Sequence, residues 1–186
     1  TGWSTVYFKG TKVLRDGNGW YHVVLAVDTT QAAANDRIKI YINGEQETAV
    51  TYNAPTQNAD LAINANGATH QIGNYSTNKF DGYLAEVHFV DGQQLAPTDF
   101  GYTEFQTNVW RPKRYQGTWG TNGFYLDFRD SSSAAALGHD RSGNGNNLTS
   151  NNFSVDDDKS FGRDLNLTTK ESCKFSGSPG NLARTL

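Results

Sequence analysis

The sequence predicts an all-β fold, a sandwich or a barrel, and three observations carry that prediction. Aromatic and β-branched residues fall in short runs separated by clusters of Gly, Asn, Asp and Ser. Within several runs the apolar residues alternate with polar ones, the period of a strand. Long stretches of helix formers are missing, and the nearest approach is DSSSAAALG. A chain of 186 residues, 12% of them aromatic, suffices for the core of one domain, or of one domain with a tail.

Taken in order, the opening TGWSTVYFKG is polar and strand-like and does not read as a leader. In WYHVVLAVD, residues 20–28, Tyr21, Val23, Leu25 and Val27 share one face, and Trp20, His22, Val24 and Ala26 share the other. Both faces are largely apolar, which predicts a central strand buried on both sides. In RIKIYINGEQETAV, Ile38, Ile40 and Ile42 alternate with Arg37, Lys39 and Tyr41, so the isoleucines should face the core. Asn43-Gly44 follows at once, and Asn-Gly supplies the two positive φ angles of a type I′ hairpin turn.

LAINANGATHQIG, residues 61–73, predicts a strand, a turn and a second short strand, and FDGYLAEVHFVD, residues 80–91, predicts another strand. DGQQLAPTDFG is a loop in which Pro97 and Thr98 can begin one helical turn. Phe124, Leu126 and Phe128 alternate with Tyr125, Asp127 and Arg129, a further strand. The tail, 149–186, has weak periodicity and is expected to fold against the domain or a neighbour, or to be partly disordered. The division expected is a domain over 1–155 and a loop-rich C-terminal extension over 156–186.

A net charge of -3 makes no electrostatic case for nucleic acid. No run of 18 apolar residues occurs, so no membrane-spanning helix is expected. The single Cys173 forms no internal disulfide framework, and without a partnered His nearby in sequence it reads as inert. His22, His70, His88 and His139 lack ligand spacing and no CxxC exists, so zinc is not expected.

HDRSGNGNN, residues 139–147, concentrates turn chemistry. Its GNGNNL nearly matches a dinucleotide-binding glycine motif, but the third glycine and any βαβ pattern are missing, so it reads as a structural turn. Trp110, Tyr115, Trp119 and Tyr125 cluster in sequence with Arg111, Lys113 and Arg114. Sugar faces stack on such rings, which makes the four aromatics candidate glycan-binding residues. The same residues could instead anchor the connection in the core or form a subunit interface.

WYHVVLAVDTT, IKIYINGEQ and FDGYLAEVHFVDG, in that order, resemble the laminin-G-like, concanavalin A-like jelly roll. FDGYLAEVHFVDGQQLAPTDFG, then GTNGFYLDFRD and GHDRSGNGNN, are similar to a subtype found in virion proteins of marine bacteriophages. The resemblance covers roughly residues 14–155 and implies a two-sheet antiparallel sandwich. Two departures stand out. Only about nineteen residues precede WYHVV where the family has several strands, and the D-x-S-G-N-G-N-N turn, which commonly opens such domains, here follows the closing strand. A missing front half or a sheet completed by another subunit is expected, with a permuted sandwich as the third reading.

The resemblance implies glycan binding or structural adhesion. Glucanases of the superfamily place two carboxylates on one strand face. Here Glu86 and Asp91 are five residues apart, as are Asp81 and Glu86, and an odd separation puts them on opposite faces of a regular strand. No catalysis is therefore expected. Some members hold calcium at a sandwich rim, which makes Asp28, Asn74 and Asp81 candidate ligands by their place at strand ends; no other cofactor is expected. The function expected is a non-catalytic component of a bacteriophage particle: a tail fibre, head fibre or capsid decoration. It would form homo-oligomers, meet other virion proteins and bind host-surface glycans, with no nucleic-acid or membrane partner. A secreted carbohydrate-binding module, a pure assembly protein and a glycoside hydrolase are the alternatives.

Overall fold

A computed structural model of the chain describes residues 7–17, 19–65, 67–75, 78–80, 82–151 and 173–175. Its strands in chain order are β1 (Tyr7–Gly10), β2 (Val23–Val27), β3 (Ile38–Ile42), β4 (Glu45–Gln46), β5 (Ala49–Asn53), β6 (Asn74–Tyr75) and β7 (Asn78–Lys79). They continue with β8 (Gly82–Leu84), β9 (Val87–Phe89), β10 (Gly101–Thr103), β11 (Trp110–Pro112), β12 (Phe124–Leu126) and β13 (Cys173–Phe175). Every pairing is antiparallel. Helical structure among the described residues is limited to single 3-10 turns, one of them at Pro97–Asp99 as the sequence predicts. The fold is all-β. None of its helices is long and apolar enough to cross a membrane, among the described residues.

The chain divides into two compact units. Unit 1 comprises Thr1–His70 and Gly92–Gly117; unit 2 comprises Gln71–Asp91 and Thr118–Leu186.

In unit 1, β2, β3 and β4 form one sheet, β1 pairs with β5, and β10 pairs with β11. Asn43 and Gly44 adopt φ of 51° and 82°, and Ile42 pairs with Glu45 across them, so the two-residue turn forms as the sequence predicts. The β2–β3 connection is tied to itself and to the segment after β5. Arg37 donates to the carbonyls of Gln31, Ala32 and Pro55, and its carbonyl accepts from Asp28 N. One expectation fails here. β2 is not buried on both sides: Ala26 is buried, but Leu25 is 54% exposed. Among the described residues β2 pairs only with β3, so it is an edge strand there; on its second apolar face Leu25 is exposed while Val23 and Val27 are half-buried.

In unit 2, β9 pairs with β12, β8 with β13 and β6 with β7. The core gathers Leu84, Leu126 and Phe128, with Ile72, Phe80, Val87, Phe124 and Leu148 packed against them. Each such side chain contributes about 1.5–3 kcal/mol when fully buried. β12 is buried on both faces through Tyr125 and Leu126, and Asp127 and Phe128 after it are buried too; the strand ends at Leu126, short of the expected Phe128, whose φ of 53° turns the chain. Of the C-terminal extension, only β13 lies among the described residues, and it pairs with β8 through Cys173 opposite Leu84.

Two further expectations are corrected. Residues 61–73 contain no strand among the described positions. Positive φ at Asn64 and Gly67 turns the chain, and successive turns close from Ala65 N to Ala62 O and from Ala68 N to Ala65 O. Residues 80–91 do not make one strand. Glu86 has φ of 55°, a left-handed conformation uncommon for a non-glycine residue, and it separates β8 from β9.

The turn-rich loop after β12 is a structural clamp. Asp140 is 4% exposed. Its carboxylate accepts from Tyr125 N at 2.9 Å, Ser142 N at 2.8 Å, Ser142 Oγ at 2.8 Å and Asn146 N at 2.9 Å. Asn144 and Asn146 donate outward to the carbonyls of Gly120, Thr121 and Gly123. Burial works to raise the Asp140 carboxyl, but the hydrogen bonds from Tyr125, Ser142 and Asn146 outweigh it and hold the group below its ordinary value.

Candidate functional site: a cleft in unit 1

The four aromatics that are neighbours in sequence fall into both units: Trp110 and Tyr115 into unit 1, Trp119 and Tyr125 into unit 2. Tyr115 is 5% exposed and stacks on Phe100 at 5.0 Å. Tyr125 is 6% exposed and lies parallel to His88 at 4.4 Å. Its hydroxyl donates to Glu86 Oε2 at 2.7 Å, and burial, then that hydrogen bond, pushes the phenol upward. Buried rings offer no face to a sugar, so the assignment of Tyr115 and Tyr125 to a glycan platform is corrected: both are packing residues. Trp119, partly exposed, joins the His88–Tyr125 layer and donates from Nε1 to His88 Nδ1 at 3.2 Å.

Of the three calcium candidates, Asp28 and Asn74 lie among the described residues. Asp28 closes its own turn: Oδ1 accepts from Thr30 N and Oγ1, and Oδ2 from Gln31 Nε2. Those hydrogen bonds hold its carboxyl below the ordinary value. Asn74 belongs to unit 2 and donates to Gln71 Oε1. Asp81 lies outside the described residues. No group of three or more His, Cys, Asp or Glu able to hold a metal ion occurs among the described residues.

The acidic pair is not arranged as on a regular strand, because Glu86 interrupts it. Besides the Glu86–Tyr125 hydrogen bond, Asp91 Oδ2 accepts from Asn122 N at 3.3 Å and from Asn122 Nδ2 at 3.1 Å. Both carboxylates hold unit 2 together.

What unit 1 does offer is an open cleft of about 630 Å³. Four segments build it: Lys12–Leu14, Trp20–Tyr21, the β3–β4 turn and the β10–β11 hairpin. The turn is set by a reciprocal pair, in which His22 N donates to Asn43 Oδ1 and Asn43 N donates to His22 O, both at 2.8 Å. The hairpin loop is set by Glu104. Its amide donates to Val109 O, its carbonyl accepts from Asn108 N, and its carboxylate accepts from Thr107 Oγ1 and Arg111.

Trp110 is the ring these pieces share. A methyl group added at either Gly44 or Gly101 would overlap its indole, so both glycines are required for its seat. His22 lies 5.7 Å from it, and burial holds the imidazole below its ordinary value. His22 Nδ1 and Trp110 Nε1 are buried without hydrogen-bond partners. On the open side Trp20 is 50% exposed, Val13 67% and Val109 47%.

The lining thus combines indole rings with the amides of Asn43 and Asn108 and the hydroxyl of Thr103. A sugar ring has an apolar C–H face and a rim of hydroxyls, and this cleft has a partner for each. Sequence reasoning named Trp110 but missed Trp20, Tyr21, Asn43 and Asn108. The available signals were the Asn-Gly turn directly beside the strand that Trp20 leads into, and the short GYT and WRP runs that pair as β10 and β11.

A sequence model of the concanavalin A-like lectin/glucanases superfamily matches residues 1–98, and the chain belongs to that superfamily. The match takes in three of the four cleft segments and stops before the β10–β11 hairpin. No curated protein and no solved structure matches the chain.

Proposed function

We propose that the chain binds a glycan in the unit 1 cleft, as a non-catalytic adhesion component of a bacteriophage particle: a tail fibre, head fibre or capsid decoration. The observation that carries the glycan reading is the cleft itself, whose lining includes half-exposed Trp20 together with Trp110, Asn43, Asn108 and Thr103. Superfamily membership makes carbohydrate the natural ligand class. The setting on a particle rests on the sequence resemblance of FDGYLAEVHFVDGQQLAPTDFG and GHDRSGNGNN to phage virion proteins. Many copies of a weak site on one particle, as a homo-oligomer among other virion proteins, would supply avidity that a single cleft lacks.

The absence of catalysis in this proposal is supported by the structural duties of Glu86 and Asp91, each accepting hydrogen bonds that brace unit 2. Calorimetric titration of the protein with a broad oligosaccharide panel tests the reading. Saturable binding without release of shorter products is expected; turnover abolished by Glu86→Gln would overturn the non-catalytic assignment. Mass spectrometry of purified phage particles encoding the chain tests the setting, and its absence from them would overturn that part alone.

A further inference from the structure

We infer that the cleft selects uncharged glycans over acidic ones, and that Glu45 is the residue that enforces the choice. This rests on the glycan reading of the cleft. Among the described residues, Lys12 and Glu45 are the only charged residues in its lining. Lys12 Nζ donates to Glu45 Oε2 at 2.7 Å, so the one cationic group in the lining is already matched by an anion and the pair adds no net charge.

The pairing is fixed by the backbone. Glu47, 5% exposed, directs Oε1 at three donors of the neighbouring segment: Thr11 N, Thr11 Oγ1 at 2.8 Å and Lys12 N at 2.8 Å. Its own amide donates to Ile40 O at 2.7 Å, which continues the β3–β4 ladder. Lys12 is therefore moored to the chain two residues beyond Glu45, and the two side chains meet because their backbones are held together. This is a stronger constraint than two long side chains meeting by chance on a surface.

A uronate or sulfate approaching Lys12 would have to displace Glu45 and would meet its charge there. The rest of the lining offers rings, amides and a hydroxyl, which suit the hydroxyl rim of a neutral sugar. A net charge of -3 for the chain acts in the same direction.

The test compares a set of neutral oligosaccharides with an alginate-derived oligouronate, by calorimetry on the full chain. The wild type is expected to prefer a neutral sugar. In Glu45→Gln the ratio of uronate to neutral affinity should rise about fivefold to tenfold, the scale of one like charge removed from near an exposed site. The rise should vanish at about 0.5 M salt, where exposed charges are screened. It should also vanish when Lys12→Gln is added, which ties it to the freed ammonium.

A wild type that prefers the oligouronate, or an unchanged ratio in Glu45→Gln, overturns the inference and leaves the glycan reading standing. A folded wild type that binds no member of either class overturns both, with circular dichroism confirming the fold.

Discussion

Each unit has an aromatic cluster, and they are built to opposite ends. In unit 2, His88, Tyr125 and Trp119 lie nearly parallel, with interplanar angles of 3° to 11°. Three hydrogen bonds brace them: Tyr125 to Glu86, Trp119 to His88, and Tyr125 N to Asp140. In unit 1, Trp110 and His22 tilt against each other at 33°, each keeping a buried nitrogen without a partner, and half-exposed Trp20 lies in the same cleft lining as Trp110. Rings packed out of solvent and braced by hydrogen bonds make a scaffold. A half-exposed indole in an open cleft leaves ring surface for a ligand. The rings alone do not separate the two cases; their exposure does.

The largest effect should come from breaking the scaffold. Asp140→Ala removes a buried carboxylate that accepts four hydrogen bonds, and we expect a loss of roughly 3 kcal/mol in urea denaturation, with the glycan affinity of the folded fraction retained. Gly101→Ala strikes the seat of Trp110 and should cost about 1–3 kcal/mol, because backbone or indole must shift to admit the methyl group. Unlike Asp140→Ala, it should lower glycan affinity as well. Trp20→Ala should weaken glycan binding about tenfold, or ~1.4 kcal/mol, while changing stability by less than about 1 kcal/mol, since half of the ring is already in water.

The smallest effect is a pH dependence. Asp140 and Glu47 are both buried, which works to raise their carboxyls, and both are nonetheless held below the ordinary value by hydrogen bonds to the charged form. A depressed folded pKa contributes stability that is fully present above the unfolded value, near 4, and is lost as pH falls through the folded value. Urea midpoints should therefore drop as the pH is lowered below about 4. Asp140→Asn should remove one part of that slope and Glu47→Gln another; slopes identical to wild type in both variants would contradict the assignment.

The sequence made some of this legible and hid the rest for identifiable reasons. The Asn43-Gly44 hairpin could be read because its turn depends on two residues with unusual φ freedom. The strand at Phe124 could be read, but its end at Leu126 could not, because the alternation runs on to Phe128, whose φ is 53°; nor could burial on both faces, because Asp127 imitates a solvent face. Asp127 is in fact buried, 3.6 Å from Arg141 of the turn-rich loop. The break at Glu86 has no local signature, since the left-handed residue is a glutamate whose carboxylate is held by Tyr125, distant in sequence. The proximity of Trp110, Tyr115, Trp119 and Tyr125 in sequence suggested one platform. The chain passes from unit 1 to unit 2 between Gly117 and Thr118, inside that very run. Trp20 was assigned to a strand face buried in the core, yet it precedes β2 and stands in the cleft.

In the proposed function the open cleft of unit 1, and not the stacked rings of unit 2, receives the glycan. Calorimetric titration of Trp20→Ala and Trp119→Ala, side by side with the wild type and the best-binding oligosaccharide, tests it most directly. Trp20→Ala is expected to lose about tenfold in affinity while Trp119→Ala retains it to within about twofold. Loss of binding in Trp119→Ala with wild-type affinity in Trp20→Ala would contradict it.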